Sequence, residues 1–169
     1  MAETASKSQR KRPGAERDRA VPAAKGPPPS ARPSGASGLP RWLRGAPTVA
    51  VEGFTLALAL TPLQRALGLT GMALLPDGWG LVLAPCASVH TLTLRCAIDV
   101  VFADQAGAVL QIYADVPPRR LRAARGAAFC VECRAGEAGR LLASGGCREI
   151  ARALERERFE RDVLRWVQR

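Results

Sequence analysis

Few residues in this chain of 169 can do chemistry: five cysteines, one histidine and a scatter of acids and arginines. Cys130-x-x-Cys133 has the spacing of a zinc or redox pair, which needs two sulfurs on one side of the backbone. The pair lies in an alternating run, Phe129-Cys130-Val131-Glu132-Cys133. In a strand, residues three apart point to opposite faces, so these two sulfurs read as small apolar side chains. His90 with Cys86 or Cys96 has the composition of a base and a nucleophile. Cys86 follows Pro85 in a loop and Cys96 sits in a turn, and neither lies at a helix N-terminus that would favour a thiolate. No acid pair, glycine-rich phosphate loop or Ser/His/Asp order is present. The sequence therefore points to no catalytic set, metal or cofactor, and reads as a non-enzyme. Should a pocket form, its polar lining is expected from His90, Asp99 and Glu132, joined by Arg95 and Arg65.

The elements that must position these residues are mostly strands. Thr48–Glu52 and Phe54–Leu60 read as a first β unit, broken at Gly53, with Phe54, Leu56, Leu58 and Leu60 on one face. Thr61-Pro62-Leu63-Gln64 then carries a Thr-x-x-Gln capping box with Pro at the first helical position, predicting a short helix that ends near Gly71 and bears Arg65. Trp79–Ala84 is almost continuously apolar, the pattern of a strand buried on both sides. Val89–Leu94 alternates, which places His90 on one face with Leu92 and Leu94, as a core histidine. Ile98, Val100 and Phe102 form one face of the next strand, with Asp99 and Val101 on the other. On that face Asp99 is a surface acid or a buried group that needs a donor such as Arg95 or a backbone amide. Asp104-Gln105-Ala106-Gly107 reads as a tight turn into a return strand reaching Tyr113. Pro117-Pro118 end that strand, and Arg119, Arg120, Arg122 and Arg125 read as a solvated loop. Ala127–Cys133 is the last strand, with Phe129, Val131 and Cys133 on one face and Cys130 and Glu132 on the other. A short helix over Gly136–Ala143 closes at Gly145-Gly146.

The run VHTLTLRCAIDVVFADQAGAVLQI, starting at Val89, resembles the signature V-H-T-x-x-M-R-x-P-I-D-V-V-F-x-D-x-x-G-x-V of the bacterial and archaeal family known as domain of unknown function 192. Gln64-Arg65-Ala66-Leu67-Gly68-Leu69 is similar to the family's E-R-x-x-G-L-M-G. Cys130-Val131-Glu132-Cys133-Arg134-Ala135-Gly136 is similar to its V-L-E-L-P-A-G. The resemblance spans about Thr48 to Gly146 and rests on three motifs in order. His90, Asp99 and Glu132 fall on motif positions. Gln64 replaces the family's Glu, Thr70 and Leu94 its methionines, and Ala97 its proline, so the chain resembles a divergent member. The resemblance implies a compact β-rich domain and no established activity.

Length and charge set the frame. The chain has room for one domain with tails. Residues 1–44 carry ten Lys or Arg against three Asp or Glu, residues 45–147 eight against seven, and residues 148–169 seven against five. The net charge of +10 thus resides mainly in the first 44 residues. Those residues are rich in Ala, Pro, Gly and Ser, and read as a disordered basic tail. With no aromatics among residues 1–40 to stack on bases, the tail suits only non-specific contact with nucleic acid. The expected fold is mainly β, of α+β type: a small β-barrel-like domain over 45–147 with two short helices, followed by a charged C-terminal helix over 148–169. Along that helix Ile150, Ala153 and Leu154 lie on one side and Phe159, Val163, Trp166 and Val167 drift to another. This predicts two faces contacted in turn or a break near Glu157, and makes the helix the expected site of protein contact. No apolar run reaches membrane-spanning length, and no hydrophobic leader segment is visible. An odd number of cysteines without framework spacing suits the reducing cytoplasm. Of the functions this composition permits, a non-catalytic binding module acting through protein contacts comes first, and a small-molecule pocket around His90, Asp99 and Arg95 second.

Overall fold

The computed structural model describes residues 40–167; the tail expected over 1–44 lies outside these residues up to position 39. A 3₁₀ turn, Arg41–Leu43, buries Leu43 completely. β1 (Thr48–Val51) and β2 (Phe54–Ala59) form an antiparallel hairpin. α1 (Pro62–Leu67) follows with the reciprocal capping box that the sequence predicts. The Gln64 N–H donates to the Thr61 hydroxyl at 3.2 Å, and the Gln64 side-chain oxygen accepts from the Thr61 N–H at 3.1 Å. β3 (Trp79–Leu83) runs parallel to β2 and is buried along its whole length. The chain continues through β4 (Ser88–His90), β5 (Ile98–Ala103), β6 (Val109–Val116), β7 (Leu121–Ala123) and β8 (Phe129–Arg134). α2 (Ala138–Ala143) and α3 (Gly146–Val167) close it.

Six strands make one sheet in the order β1-β2-β3-β8-β5-β6, and β4 pairs with β7 in a second sheet of two. The large sheet is open, with β1 and β6 at its edges, so the barrel-like expectation resolves to a covered α+β sheet. On one face, α2 and α3 pack over Phe54, Leu56, Val82, Val101, Phe129 and Val131, using Leu141 and Ile150. On the other, the 3₁₀ turn, the loop after α1 and the small sheet cover Leu81, Val100, Phe102 and Cys130. Covering on both sides explains why β3 and β5 lack any exposed residue and read as apolar runs. The β5–β6 turn is held by the Asp104 carboxylate, which accepts from Ala106 N–H at 2.9 Å and Ala108 N–H at 2.8 Å. Gly107 there has φ +80°, and a Cβ on it would lie 2.5 Å from the Cys147 carbonyl, so the start of α3 rests directly on this turn.

Three expectations are corrected. The alternating run from Val89 does not continue as a strand to Leu94: β4 stops at His90 and pairs with β7, not β5. Thr91 is the reason. It is fully buried, its hydroxyl donates to Pro117 O at 2.7 Å and accepts from Arg120 N–H at 2.9 Å, and the chain turns there. Val89 and Thr91 therefore face inward, while Leu92 is 59% exposed and His90 is exposed rather than a core histidine. The arginine segment is not wholly a solvated loop, since Leu121–Ala123 forms β7 and the Arg122 guanidinium stacks 5.2 Å from the centre of the Tyr113 ring. The C-terminal helix has no break near Glu157; α3 is one helix of 22 residues. Ile150, Ala151 and Ala153 are buried, whereas Phe159 and Trp166 are 71% and 79% exposed. Among the described residues no helix is long and apolar enough to cross a membrane.

Candidate functional site

A cavity of about 330 Å³ opens between α1 with its following loop, the β3–β4 loop and β8. Its polar lining includes Arg65, Cys86, His90, Thr93 and Glu132. Each is delivered by local chain geometry. α1 ends at Gly68, whose φ of +47° turns the chain at the mouth; a Cβ here would sit 4.0 Å from a Glu132 carboxyl oxygen. Arg65, one turn inside the helix, is fixed by its Nη1 group donating to the carbonyls of Leu60 at 2.8 Å and Ala84 at 3.3 Å. Its charge is unpaired: the ion pairs among the described residues are Arg134–Asp77 and Arg140–Glu137. Pro85 follows a cis Ala84–Pro85 peptide, and Cys86 comes next, anchored by its N–H donating to Ala128 O at 3.0 Å.

Glu132 is the unusual group. It lies in β8 between β3 and β5, paired with Leu81 and Val100, and is only 4% exposed. Removal from water, with the nearby Cys86 thiolate adding to it, pushes its carboxyl up to about 8. At neutral pH it is mainly a neutral acid, offering one O–H donor and an acceptor to the cavity. Cys86 moves the opposite way. The Cys130 thiol donates to its sulfur across 3.6 Å, and together with a hydrogen bond from the Ser88 backbone and the Arg65 charge this outweighs burial, bringing Cys86 down to about 7. Burial pushes Cys130 itself well up. The cavity thus holds a neutral carboxyl, an unpaired guanidinium and a partly ionised thiol.

Of the five residues expected to line a pocket, the structure brings together Arg65, His90 and Glu132. Asp99 is elsewhere, buried on the other side of the sheet. One of its oxygens accepts from Asp115 N–H at 2.8 Å, the other from Gly136 N–H at 2.9 Å and Ala138 N–H at 3.0 Å. Those three backbone donors hydrogen-bond both oxygens of the carboxylate, which ties β5 to β6 and to the start of α2. Arg95 is exposed on the β4–β5 loop and is not in the cavity wall. Cys86, weighed in the sequence as a nucleophile beside His90 but not among the expected lining residues, is in the cavity wall with it. The signal for it is long-range, a contact with Cys130 across 44 residues, and only the fold supplies that. Cys130 and Cys133 lie in the two opposite cores, one on each face of the sheet.

A model of the family DUF192, described as an uncharacterized ACR, matches residues 46–148. No curated protein matches. Two solved structures are similar. One is a candidate transcription regulator from Sinorhizobium meliloti, 22% identical, covering 52% of this chain and 74% of its own, with a TM-score of 0.48. The other is a protein of unknown function from Novosphingobium aromaticivorans, 26% identical, covering 56% of this chain and 75% of its own, also with a TM-score of 0.48.

Proposed function

Since the chain belongs to the DUF192 family, which carries no assigned activity, we propose from its own geometry that it is a small-molecule-binding domain. The ligand sits in the cavity between α1 and β8. One observation carries this reading: a buried, mainly neutral Glu132 carboxyl faces a cavity that also holds Arg65, which has no ion-pair partner among the described residues. A buried acid costs stability unless something is gained from it. The volume is at the lower end of the range for ligand pockets. The chemistry suits a small polar molecule with an anionic group for Arg65 and a hydrogen-bonding group for Glu132. The test is a titration of ¹⁵N-labelled protein with a panel of small carboxylates, hydroxy acids and phosphates. Shifts should cluster at residues 65–70, 86–94 and 132, and Arg65→Met and Glu132→Leu should each weaken binding about tenfold or more without unfolding the domain. A panel that leaves those resonances unmoved, or variants that bind like the parent, would sink the reading.

A second reading, protein contact through α3, is favoured by one feature. Phe159, Val163 and Trp166, spaced as one helical stripe, are exposed on the second half of α3. The partner it fits is another protein presenting an apolar groove, and the domain would then act as an accessory module. The five free thiols suit the cytoplasm for either role.

A further inference from the structure

Two thiols meet at the cavity wall in an arrangement that packing alone does not call for. The Cys86 sulfur lies 3.6 Å from that of Cys130. Cys86 is half-buried and lines the cavity; Cys130, in β8, is fully buried behind it. The main chain keeps them in register, because the Cys86 N–H is bonded to the carbonyl of Ala128, two residues before Cys130. Closing the pair to a disulfide bond of about 2.05 Å needs a movement of about 1.5 Å, within the reach of side-chain rotation and a small loop shift. The two sulfurs are also unequal. Cys86 meets the cavity beside the Arg65 charge and receives the Cys130 S–H, while Cys130 is sealed from solvent and stays protonated. An accessible thiolate backed by a buried thiol is the arrangement of an oxidisable cysteine with its resolving partner.

We propose that Cys86 is a peroxide-reactive thiol and that Cys130 resolves it, so that a hydroperoxide converts the pair to a Cys86–Cys130 disulfide in the cavity wall. The Cys86 thiolate attacks one peroxide oxygen: an S–O bond forms and the O–O bond breaks. Cys86 is oxidised by two electrons to the sulfenic acid. The peroxide is reduced to an alcohol, or to water in the case of hydrogen peroxide, taking up the proton that Cys86 had released. The Cys130 sulfur then attacks the Cys86 sulfur: the S–S bond forms, the S–O bond breaks, and hydroxide leaves as water with the Cys130 proton. A small dithiol returns both groups to thiols by exchange. This chemistry does not rest on a ligand occupying the cavity, so the two readings stand or fall separately.

The experiment uses the full chain, reduced, treated with hydrogen peroxide, quenched with N-ethylmaleimide and digested for peptide mass spectrometry. Cys96, also half-buried but outside the cavity wall, is the internal control. Cys130 and Cys133 fall on one tryptic peptide, Gly126–Arg134, so fragmentation must assign the bond between them. The expected result is a Cys86–Cys130 cross-link formed about tenfold faster than any oxidation of Cys96. In Cys130→Ala, dimedone should instead trap a sulfenic acid at Cys86. The parent chain alone decides the matter if that variant fails to fold. Equal oxidation of Cys86 and Cys96, a disulfide joining Cys86 to Cys133, or Cys86 passing to sulfinic acid with Cys130 still free would each overturn the proposal.

Discussion

Asp99 and Glu132 are acids of adjacent strands, both nearly excluded from solvent, and the fold treats them in opposite ways. Asp99 receives three backbone N–H groups, which hydrogen-bond both of its oxygens. Glu132 faces the cavity and is kept largely protonated. Its carboxyl is raised from an ordinary 4.5 to about 8, so folding binds a proton that the unfolded chain releases. The stability this residue permits is complete below pH 4.5 and falls as pH rises towards 8. Cys86, lowered from 9.0 to about 7, contributes with the opposite sign: its share is complete above pH 9 and is lost as pH falls through 7. The window from pH 4.5 to 7 therefore isolates Glu132. Urea unfolding of Glu132→Gln and the parent across that window should diverge, with the variant gaining on the order of a few kcal/mol by neutral pH. Parallel curves would mean that the carboxyl is already ionised in the folded protein. The placement of Glu132 beside Cys130 on one strand face was legible from plain alternation. Its protonation was not, because that depends on the residues that enclose the cavity with it, brought from α1, the loop after it and the β3–β4 loop.

At the scale of elements, local signals with a chemical mechanism were readable and long-range partners were not. The Thr61–Gln64 box, the Asp104–Gly107 turn and the apolar run of β3 each follow from neighbouring residues alone. β4 and β7 follow from Thr91, whose hydroxyl reaches Pro117 and Arg120, more than twenty-five residues on. The alternation beyond His90 consequently predicts strand where a buried hydrogen-bonding threonine ends it. The role of Asp99 belongs here too, since it caps α2 from a strand and holds Asp115, a non-glycine residue with φ +51°, at the bend of β6. Asp99→Ala removes the acceptor of three N–H groups at once, that of Ala138 buried and those of Asp115 and Gly136 part-buried. At about 1–3 kcal/mol for the buried Ala138 group, and less for the two that water can reach, the loss should be about 2 kcal/mol or more in urea unfolding. Hydrogen exchange should quicken first at Asp115, Gly136 and Ala138. A loss under about 1 kcal/mol would show that water replaces the carboxylate there.

For the whole molecule, the division of labour along α3 sets what can be removed. Its first turns lie on the β5–β6 turn and fill the core with Ile150, Ala151 and Ala153. Gly107 admits no side chain beneath them. Beyond Glu157 no described side chain is buried: Phe159, Val163, Leu164 and Trp166 are exposed, while Arg158 and Arg161 line a cleft with Leu60, Ala128 and Phe129. The sequence shows both stripes, Ile150-Ala153-Leu154 and Phe159-Val163-Trp166, but not that one unbroken helix carries them. Burial of apolar area is what gives a helix segment its share of stability, at roughly 25 cal/mol per Å². A chain ending at Glu157 should therefore unfold in urea within about 0.5 kcal/mol of the full chain, and one ending at Gly145 should not fold. The shorter chain should also lose any protein partner recovered through the exposed stripe, while small-molecule titration of the α1–β8 cavity stays unchanged. A marked loss of stability on removing 158–169 would place that stripe against the chain's own surface and count against α3 as a docking helix. Equal stability with unchanged partner recovery would move the contact to another face, such as the β6 edge, where Val109, Leu110 and Ile112 stand open.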